Sequence, residues 1–260
     1  MRLENKVAIV TGGGSGIGEA ICRSLALEGA HVVVADMNEQ AARTVVGKLK
    51  SIGDRRHLAV RVDVRSEEQV EGIVKRTVEE FGRIDILCAN AGVVTQNWTV
   101  DLTVEEWDLN MDVNAKGVFL CNKHVARQMI KQGGGGKIIN TASMAGKTGF
   151  ALEAHYSASK FAVIGFTMAL ADELAKYKIN VNAICPGIVD TPMLKRGIQR
   201  EAELRSVTPD RIVEKMVAFT PLGRLAKPTD ITGLVIFLSS PDSDFMTGQA
   251  INVTGGIEKH

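Results

Sequence analysis

The chain has 260 residues, of which 45% are hydrophobic and 5% aromatic, so it is long enough to bury one sizeable core. Its 31 basic residues are scattered among 30 acidic ones, giving a formal net charge of +1, which argues against nucleic acid or a lipid surface as a partner. The sequence shows neither a signal-peptide pattern nor an apolar stretch near ~20 residues, so we expect a cytoplasmic protein.

The first residues predict a strand, a phosphate-binding turn and a helix. Residues 6–10 form a short apolar run, residues 11–18 are rich in glycine, and residues 19–28 have helical periodicity. Glycine allows the backbone to approach a pyrophosphate closely, and the free N–H groups of a helix N-terminus favour an anion. The turn therefore predicts a dinucleotide site that includes Gly12, Ser15, Gly16, Ile17 and Gly18.

Asp36 follows the second apolar run and indicates which dinucleotide binds. An acidic residue at the end of this strand accepts the ribose hydroxyls of an adenosine and repels a 2′-phosphate. Neither Ser15 nor Met37 is basic, so neither can pair with that phosphate. We therefore expect NAD(H) as the cofactor, with NADP(H) as the alternative.

Strand-like and helical patterns alternate along the whole chain. This alternation predicts an α/β fold with a parallel sheet, covered by helices on both faces and connected by right-handed crossovers. Ligands of such sheets bind outside the carboxyl ends of the strands. The predicted strands are Val7 to Val10, His31 to Ala35, Leu58 to Val62, Ile84 to Ala89, Gly136 to Thr141, Ile179 to Ile184 and Gln249 to Val253.

Tyr156 and Lys160 are separated by one helical turn, so both side chains project from the same helix face. A neighbouring cation favours phenolate and lowers the pKa of a tyrosine toward the neutral range, where the phenol can act as a general acid/base. Ser143 follows the strand-like residues 137–141, which predicts its hydroxyl at a strand end beside the tyrosine. Taken by itself, a Tyr-x-x-x-Lys pattern also fits an ordinary surface helix.

The four cysteines, Cys22, Cys88, Cys121 and Cys185, lie in apolar surroundings. Their separations match neither metal-ligand nor redox-pair spacing. We therefore interpret them as small buried hydrophobic residues and predict no metal site.

Together these motifs resemble the short-chain dehydrogenase/reductase family along nearly the whole chain. The pattern Thr-Gly-x-x-x-Gly-x-Gly occupies residues 11–18, and Tyr-x-x-x-Lys occupies residues 156–160. The resemblance implies a single-domain Rossmann-type, doubly wound sheet of seven strands in the order 3-2-1-4-5-6-7. It also implies that Asn114 relays protons through a bound water and that Lys160 holds the nicotinamide ribose beside Tyr156.

The same resemblance implies further cofactor contacts. Asp63 and Val64 would contact the adenine, and Asn90, Ala91 and Gly92 would pack against the adenosine. The segment Pro-Gly-x-x-x-Thr would hold the nicotinamide carboxamide, which assigns cofactor contacts to Pro186, Gly187, Ile188 and Thr191.

Residues 188–227 form a long connection within the single domain 1–260, and their position predicts a substrate-binding lid. Glu153 could accept a substrate hydroxyl, or could instead face the helix dipole as an N-terminal carboxylate. Lys195, Arg196 and Arg200 could meet an anionic substrate, or could simply be solvated. We expect substrate contacts from Ser143, Ala145, Glu153, Tyr156 and Gly187.

Within the family, the chain most resembles the sorbitol-type polyol and butanediol dehydrogenases. This resemblance implies an NAD-dependent oxidoreductase that interconverts a secondary alcohol and a ketone on a small polyol, sugar alcohol or diol. The alternative is a 3-oxoacyl-carrier-protein reductase, which generally prefers NADPH. A third hypothesis is a dinucleotide-sensing protein without turnover.

Residues 113–131 and 156–177 carry apolar side chains on more than one helix face. One apolar stripe is enough to cover a sheet, so a second stripe favours a further partner. In the family these helices pair across a two-fold axis, and the last strand forms a second two-fold contact. We therefore expect a homotetramer with D₂ symmetry.

Overall fold

The computed structural model describes residues 1–260 and contains one parallel sheet of seven strands. The strand order is β3-β2-β1-β4-β5-β6-β7, as predicted. The strands are β1 (Val7–Thr11), β2 (His31–Asp36), β3 (His57–Arg61), β4 (Ile86–Ala89), β5 (Gly136–Thr141), β6 (Ile179–Pro186) and β7 (Ala250–Val253).

Nine α-helices connect and cover these strands. They are α1 (Gly16–Leu27), α2 (Glu39–Leu49), α3 (Glu67–Phe81), α4 (Val104–Asn110), α5 (Gly117–Gln132), α6 (Ala154–Leu174), α7 (Pro192–Arg205), α8 (Pro209–Phe219) and α9 (Pro228–Ser239). A π-helical segment, Met111–Lys116, joins α4 to α5 without a break.

The sheet is buried on both faces, because two hydrophobic cores lie on opposite sides of it. Helices α1, α2 and α9 cover one face with side chains such as Leu25 and Val235. Helices α3, α5 and α6 cover the other face with side chains such as Ile73 and Met129. Burial on both faces explains why the central strands are almost continuously apolar instead of alternating.

Only β5 has both boundaries as predicted; the other six strands differ by one or two residues at one or both ends, and two of these differences have a clear cause. β4 begins at Ile86 and not at Ile84, because the Asp85 carboxylate accepts the Val7 N–H at 2.9 Å and pairs with Arg83 at 2.6 Å. β1 continues one residue further than predicted, since Thr11 pairs with Ala35 of β2. In both cases the contact that sets the boundary comes from a neighbouring strand or loop.

β1 lies between β2 and β4, so the strand order reverses at this point of the sheet. The loops after β1 and β4 diverge there and leave a crevice above the carboxyl ends of the strands, where ligands of such sheets bind. No helix is long and apolar enough to cross a membrane.

Candidate active site

A cleft of about 840 Å³ lies above the carboxyl ends of the strands. Residues from the loops after β1 to β6 and from the lid line this cleft. Every residue predicted to contact the cofactor lies on its wall, namely Gly12, Ser15, Gly16, Ile17, Gly18, Asp36, Asp63, Val64, Asn90, Ala91, Gly92, Tyr156, Lys160, Pro186, Gly187, Ile188 and Thr191. Their cofactor contacts themselves stay a prediction.

The glycine turn has the shape that a pyrophosphate requires. Gly12 has a φ of +64°, and a Cβ on Gly18 would lie 2.0 Å from the Gly12 carbonyl oxygen, so a side chain at Gly18 would not fit. Ser15 precedes α1, but its side chain does not cap the helix. The first N–H groups of α1 are therefore free to bind an anion.

Asp36, the last residue of β2, lies on the cleft wall and is held there by two backbone amides. Its Oδ2 atom accepts the Gly14 N–H at 2.9 Å, and its Oδ1 atom accepts the Asn38 N–H at 2.9 Å. Arg65, which sequence analysis missed, also lines the cleft, but its guanidinium pairs with the Asp63 carboxylate at 2.7 Å. No basic side chain is hydrogen-bonded to Asp36, which is consistent with a site for an unphosphorylated ribose.

Tyr156 and Lys160 lie on consecutive turns of α6, as predicted. Lys160 is only 3% exposed, and its ammonium donates to the Thr141 carbonyl oxygen at 2.8 Å and lies 5.6 Å from the centroid of the Tyr156 ring. Ser143 precedes a short 3₁₀ turn, and its hydroxyl accepts the Ala145 N–H at 3.1 Å. Ser143, Tyr156 and Lys160 thus meet in the same cleft.

Burial controls the ionisation of these groups. It raises the pKa of Tyr156 well above the usual range, the Glu153 carboxylate raises that pKa further, and the nearby Ser143 hydroxyl lowers it. Burial also lowers the pKa of Lys160 to about 8. The expectation that Lys160 brings the tyrosine pKa toward neutral is therefore wrong for the chain alone, because desolvation of the phenolate is the larger effect.

Asn114 is completely buried in the π-helical segment and does not line the cleft. Its Oδ1 atom accepts the Val93 N–H at 2.8 Å, and its Nδ2 atom donates to the Val93 carbonyl at 2.9 Å and to the Ser159 hydroxyl at 3.0 Å. Both amide hydrogens are therefore used within the protein. The side chain ties the loop after β4 to α6, and its predicted relay of protons stays a prediction.

Residues 188–227, which were predicted to form a lid, contain α7 and α8, and both helices contribute side chains to the cleft wall. Of the three lid cations, Arg196 lines the cleft, whereas Lys195 lies 3.8 Å from Asp190 and Arg200 donates to the Gln96 carbonyl at 3.4 Å. Sequence analysis missed the other lid residues on the wall, although the apolar periodicity of α8 could have indicated some of them. These residues are Val189, Pro192, Met193, Leu194, Glu201, Arg205, Ile212, Lys215, Met216 and Phe219.

A second set of contacts, also missed, fixes the start of α6. It joins residues 95–97 to residues 152–155. The Asn97 N–H donates to the Leu152 carbonyl at 3.0 Å, the Gln96 amide donates to the Glu153 carboxylate at 2.8 Å, and the Thr95 hydroxyl lies 2.6 Å from His155 Nε2. His155 is therefore buried beside the cleft and does not line it.

All four cysteines are buried and unpaired, which confirms their interpretation as small hydrophobic residues. Burial raises the pKa of the Cys88 and Cys121 thiols to about 12, so neither is a reactive thiolate at neutral pH. No cluster of histidine, cysteine and acidic residues has the composition of a metal site.

Comparisons with known proteins agree with this geometry. The family model described as short chain dehydrogenase matches residues 6–202. The chain is 41% identical over 256 residues to galactitol 2-dehydrogenase of Agrobacterium fabrum, and the alignment covers 98% of each protein. The chain therefore belongs to the short-chain dehydrogenase/reductase family and is an oxidoreductase, and the predicted similarity to polyol dehydrogenases is confirmed.

Two further relatives show the breadth of the family around this chain. A 3-oxoacyl-acyl-carrier-protein reductase of Thermotoga maritima is 36% identical over 257 residues, covering 99% of each protein. The crystal structure of an actinorhodin polyketide ketoreductase with NADPH superposes with a TM-score of 0.94 at 38% identity, covering 98% of each chain. Polyol dehydrogenases and ketoreductases are thus both among its relatives.

Proposed function

We propose that this protein is an NAD-dependent oxidoreductase that interconverts a secondary alcohol and a ketone on a small polyol, sugar alcohol or diol. The observation that carries this proposal is the convergence of Ser143, Tyr156 and Lys160 in the cleft that also contains the glycine turn. A hydroxyl group, a phenol and an ammonium group in this arrangement suit proton exchange with an alcohol oxygen.

In this proposal the substrate hydroxyl hydrogen-bonds to Ser143 and Tyr156, and the tyrosine oxygen takes its proton during oxidation. NAD⁺, when bound, supplies the acceptor for the hydride of the carbinol carbon, together with a positive charge that favours phenolate. Lys160, whose ammonium lies 5.6 Å from the centroid of the Tyr156 ring, adds a second positive charge beside the phenol and would hold the ribose. For ketone reduction the same residues act in reverse, with Tyr156 as the acid.

The preference for NAD over NADP rests on Asp36. A carboxylate held by two amides cannot swing away from the ribose, so a 2′-phosphate would meet its charge directly. Arg65 also lines the cleft, but it is already paired with Asp63. Binding of NADP(H) would therefore require Asp36 to leave its two backbone amides and Asp63 to release Arg65.

A second candidate function is the reduction of a 3-oxoacyl thioester on an acyl carrier. The observation in its favour is that the lid places Arg196 and Lys215 on the cleft wall, where cations could attract an acidic carrier. Against it, Glu153 contributes a carboxylate to the same wall, which suits a hydroxyl-rich substrate better than an acyl chain.

A substrate panel tests the proposal. Polyols, vicinal diols and 3-oxoacyl thioesters would each be assayed with NAD(H) and with NADP(H), and we expect the highest kcat/KM for a diol or polyol with NAD(H). A preference for NADPH of more than about tenfold, equivalent to roughly 1.4 kcal/mol, would refute the argument from Asp36. Turnover of thioesters alone would favour the ketoreductase function.

We also propose that residues 188–227 act as the substrate lid and that four copies of the chain associate. Support for the lid comes from the α7 and α8 side chains on the cleft wall. Support for association comes from the exposed aromatic side chains of Phe119 on α5 and Phe161 on α6.

A further inference from the structure

Gln96 and Glu153 form a polar pair at the substrate end of the cleft. The Gln96 side chain is 7% exposed, and its Nε2 atom donates to Glu153 Oε1 at 2.8 Å. Glu153 lines the same cleft as Ser143 and Tyr156. Helix α7 packs against this pair, since a Cβ on Gly197 would lie 3.5 Å from the Gln96 amide group.

No cation neutralises the Glu153 carboxylate. From residues 188–227, Glu201 is a carboxylate that raises the pKa of Glu153 and is itself bound by Arg205 at 2.6 Å, whereas the Arg200 guanidinium donates to the Gln96 backbone carbonyl at 3.4 Å. Burial raises the pKa of Glu153, and the hydrogen bond from Gln96 lowers it. A partly buried carboxylate with a single amide donor is short of hydrogen-bond donors, since an ionised carboxylate accepts several.

Two acceptor atoms of this pair have no donor in the protein. Gln96 Oε1 is buried without a hydrogen-bond partner, and Glu153 makes no protein hydrogen bond through Oε2. Both atoms accept hydrogen bonds and neither donates one, so the group that completes the pair must be a hydrogen-bond donor. Of the two residues only Glu153 lines the cleft, and on a neutral alcohol substrate the donor that can reach it is a hydroxyl group. A methyl, methylene or thioester group offers no such hydrogen.

We propose that Glu153 determines substrate specificity by accepting a hydrogen bond from a second hydroxyl, on the carbon next to the one that reacts, and that Gln96 positions Glu153 for this contact. The inference rests on the proposed function and narrows its substrate to vicinal diols and polyols. A site that is built to bind a hydroxyl discriminates strongly against the analogue that lacks it, because its buried polar atoms are then left unpaired.

The test compares 2,3-butanediol with 2-butanol, which differ only in the second hydroxyl, using NAD and the full-length protein. For Glu153→Gln we expect the ratio of kcat/KM for the diol to kcat/KM for the mono-alcohol to fall by about tenfold or more, since a charged acceptor is replaced by a neutral one. Gln96→Leu should lower the same ratio in the same direction. Glu105→Gln, an exposed carboxylate on α4, is the matched control and should leave the ratio unchanged.

A pH profile separates specificity from a merely structural role. Because the Glu153 charge raises the pKa of Tyr156, Glu153→Gln should move the rise of kcat with pH to lower pH for both alcohols. An equal loss of activity on both alcohols, or an unchanged ratio, would overturn the inference and leave the proposed function intact. A wild-type enzyme that oxidises neither alcohol nor any other polyol would instead overturn the proposed function, and this inference with it.

Discussion

The phenol of Tyr156 lies next to a carboxylate as well as an ammonium group. Burial and Glu153 raise its pKa, and burial lowers the pKa of Lys160 to about 8, so this ammonium loses its charge at a lower pH than a surface lysine would. Both shifts follow from the low polarity of the site, which disfavours every charged form. The site therefore needs a further positive charge before the phenol can give up its proton, and an oxidised nicotinamide carries one.

Replacing Tyr156 by phenylalanine removes only the hydroxyl group that we propose exchanges the proton. General acid/base assistance contributes roughly 10²- to 10⁴-fold to rates, so we expect Tyr156→Phe to lose at least 99% of turnover. NADH affinity, measured by fluorescence titration, should change by less than about threefold, which corresponds to under ~1 kcal/mol. Retention of more than about a tenth of wild-type kcat would show that another group moves the proton.

The buried ammonium group of Lys160 should lower the free energy of unfolding of the protein. Its folded pKa of about 8 lies below the ordinary value of 10.5, so the unfolded chain binds more protons between these values and stability rises with pH across this window. Lys160→Met removes the buried charge, so at about pH 7 we expect the free energy of unfolding to increase by on the order of 1 to 3 kcal/mol.

Urea unfolding without added nucleotide measures this effect at several pH values. The gain from Lys160→Met should shrink as the pH rises from about 7 to about 10, because the wild-type ammonium loses its charge over that range. A variant that is less stable than wild type at neutral pH would show that the hydrogen bond from Lys160 to Thr141 outweighs the desolvation of the ammonium.

At the scale of elements, the β1–α1 turn depends on the absence of side chains. A Cβ on Gly18 would lie 2.0 Å from the Gly12 carbonyl oxygen, which belongs to the backbone and cannot move aside without distorting the turn. We expect Gly18→Ala to weaken NADH binding by at least about tenfold, or ~1.4 kcal/mol, and to lower the melting temperature. Fluorescence titration and thermal unfolding measure the two effects.

Gly72 provides the matched control, because it lies inside α3 with nothing within 4 Å of its Cβ position. Gly72→Ala should stabilise the protein by about 0.5–1 kcal/mol through helix propensity and leave NADH affinity unchanged. Equal NADH affinity for Gly18→Ala and wild type would contradict the role given to the turn.

The sheet and the motifs at its carboxyl edge could be predicted because their signals are local. A buried parallel strand is a continuous apolar run, and the turns that follow carry their own glycine, aspartate or asparagine residues. The boundaries could not be predicted as well. β3, for example, begins at His57 instead of Leu58 because His57 pairs with Val32 of a strand far away in sequence.

The substrate end of the cleft was much less predictable. Gln96 reaches Glu153 across 57 residues, and no spacing or composition connects the two. The direction of the Tyr156 pKa was predicted wrongly for a related reason. The sequence places a lysine one turn away, but it does not show how deeply α6 buries both groups. Tertiary packing decides both properties.

At the scale of the whole molecule, α5 and α6 present aromatic residues to solvent. Phe119 is 42% exposed and Phe161 is 47% exposed, and Phe119 makes an edge-to-face contact with the partly buried Phe166 at a centroid distance of 6.1 Å. Val118, Val125 and Met129 of α5 are also apolar, but they lie in the core. The remaining exposed apolar face is the surface on which we expect another copy of the chain to pack.

Phe161→Glu tests the predicted homotetramer more directly than a change at Phe166, which is less exposed. We expect the wild type to have a mass near four times 28.0 kDa in light scattering, and Phe161→Glu to form smaller species with lower kcat. Leu27→Glu, at an exposed position on α1, should keep the mass of the wild type. A fully active wild-type monomer at assay concentration would refute the predicted assembly.

The start of α7, at Thr191, bears on the order in which ligands bind. Thr191 caps α7 by accepting the Leu194 N–H at 3.2 Å, and its methyl group lies 3.3 Å from the Cβ position of Gly16 in the phosphate-binding turn. The first turn of α7 therefore lies against the glycine turn, which we propose binds the dinucleotide. A dinucleotide that orders the glycine turn would also order the surface against which the proposed lid packs. We therefore expect compulsory-order kinetics, in which NAD binds first and dissociates last.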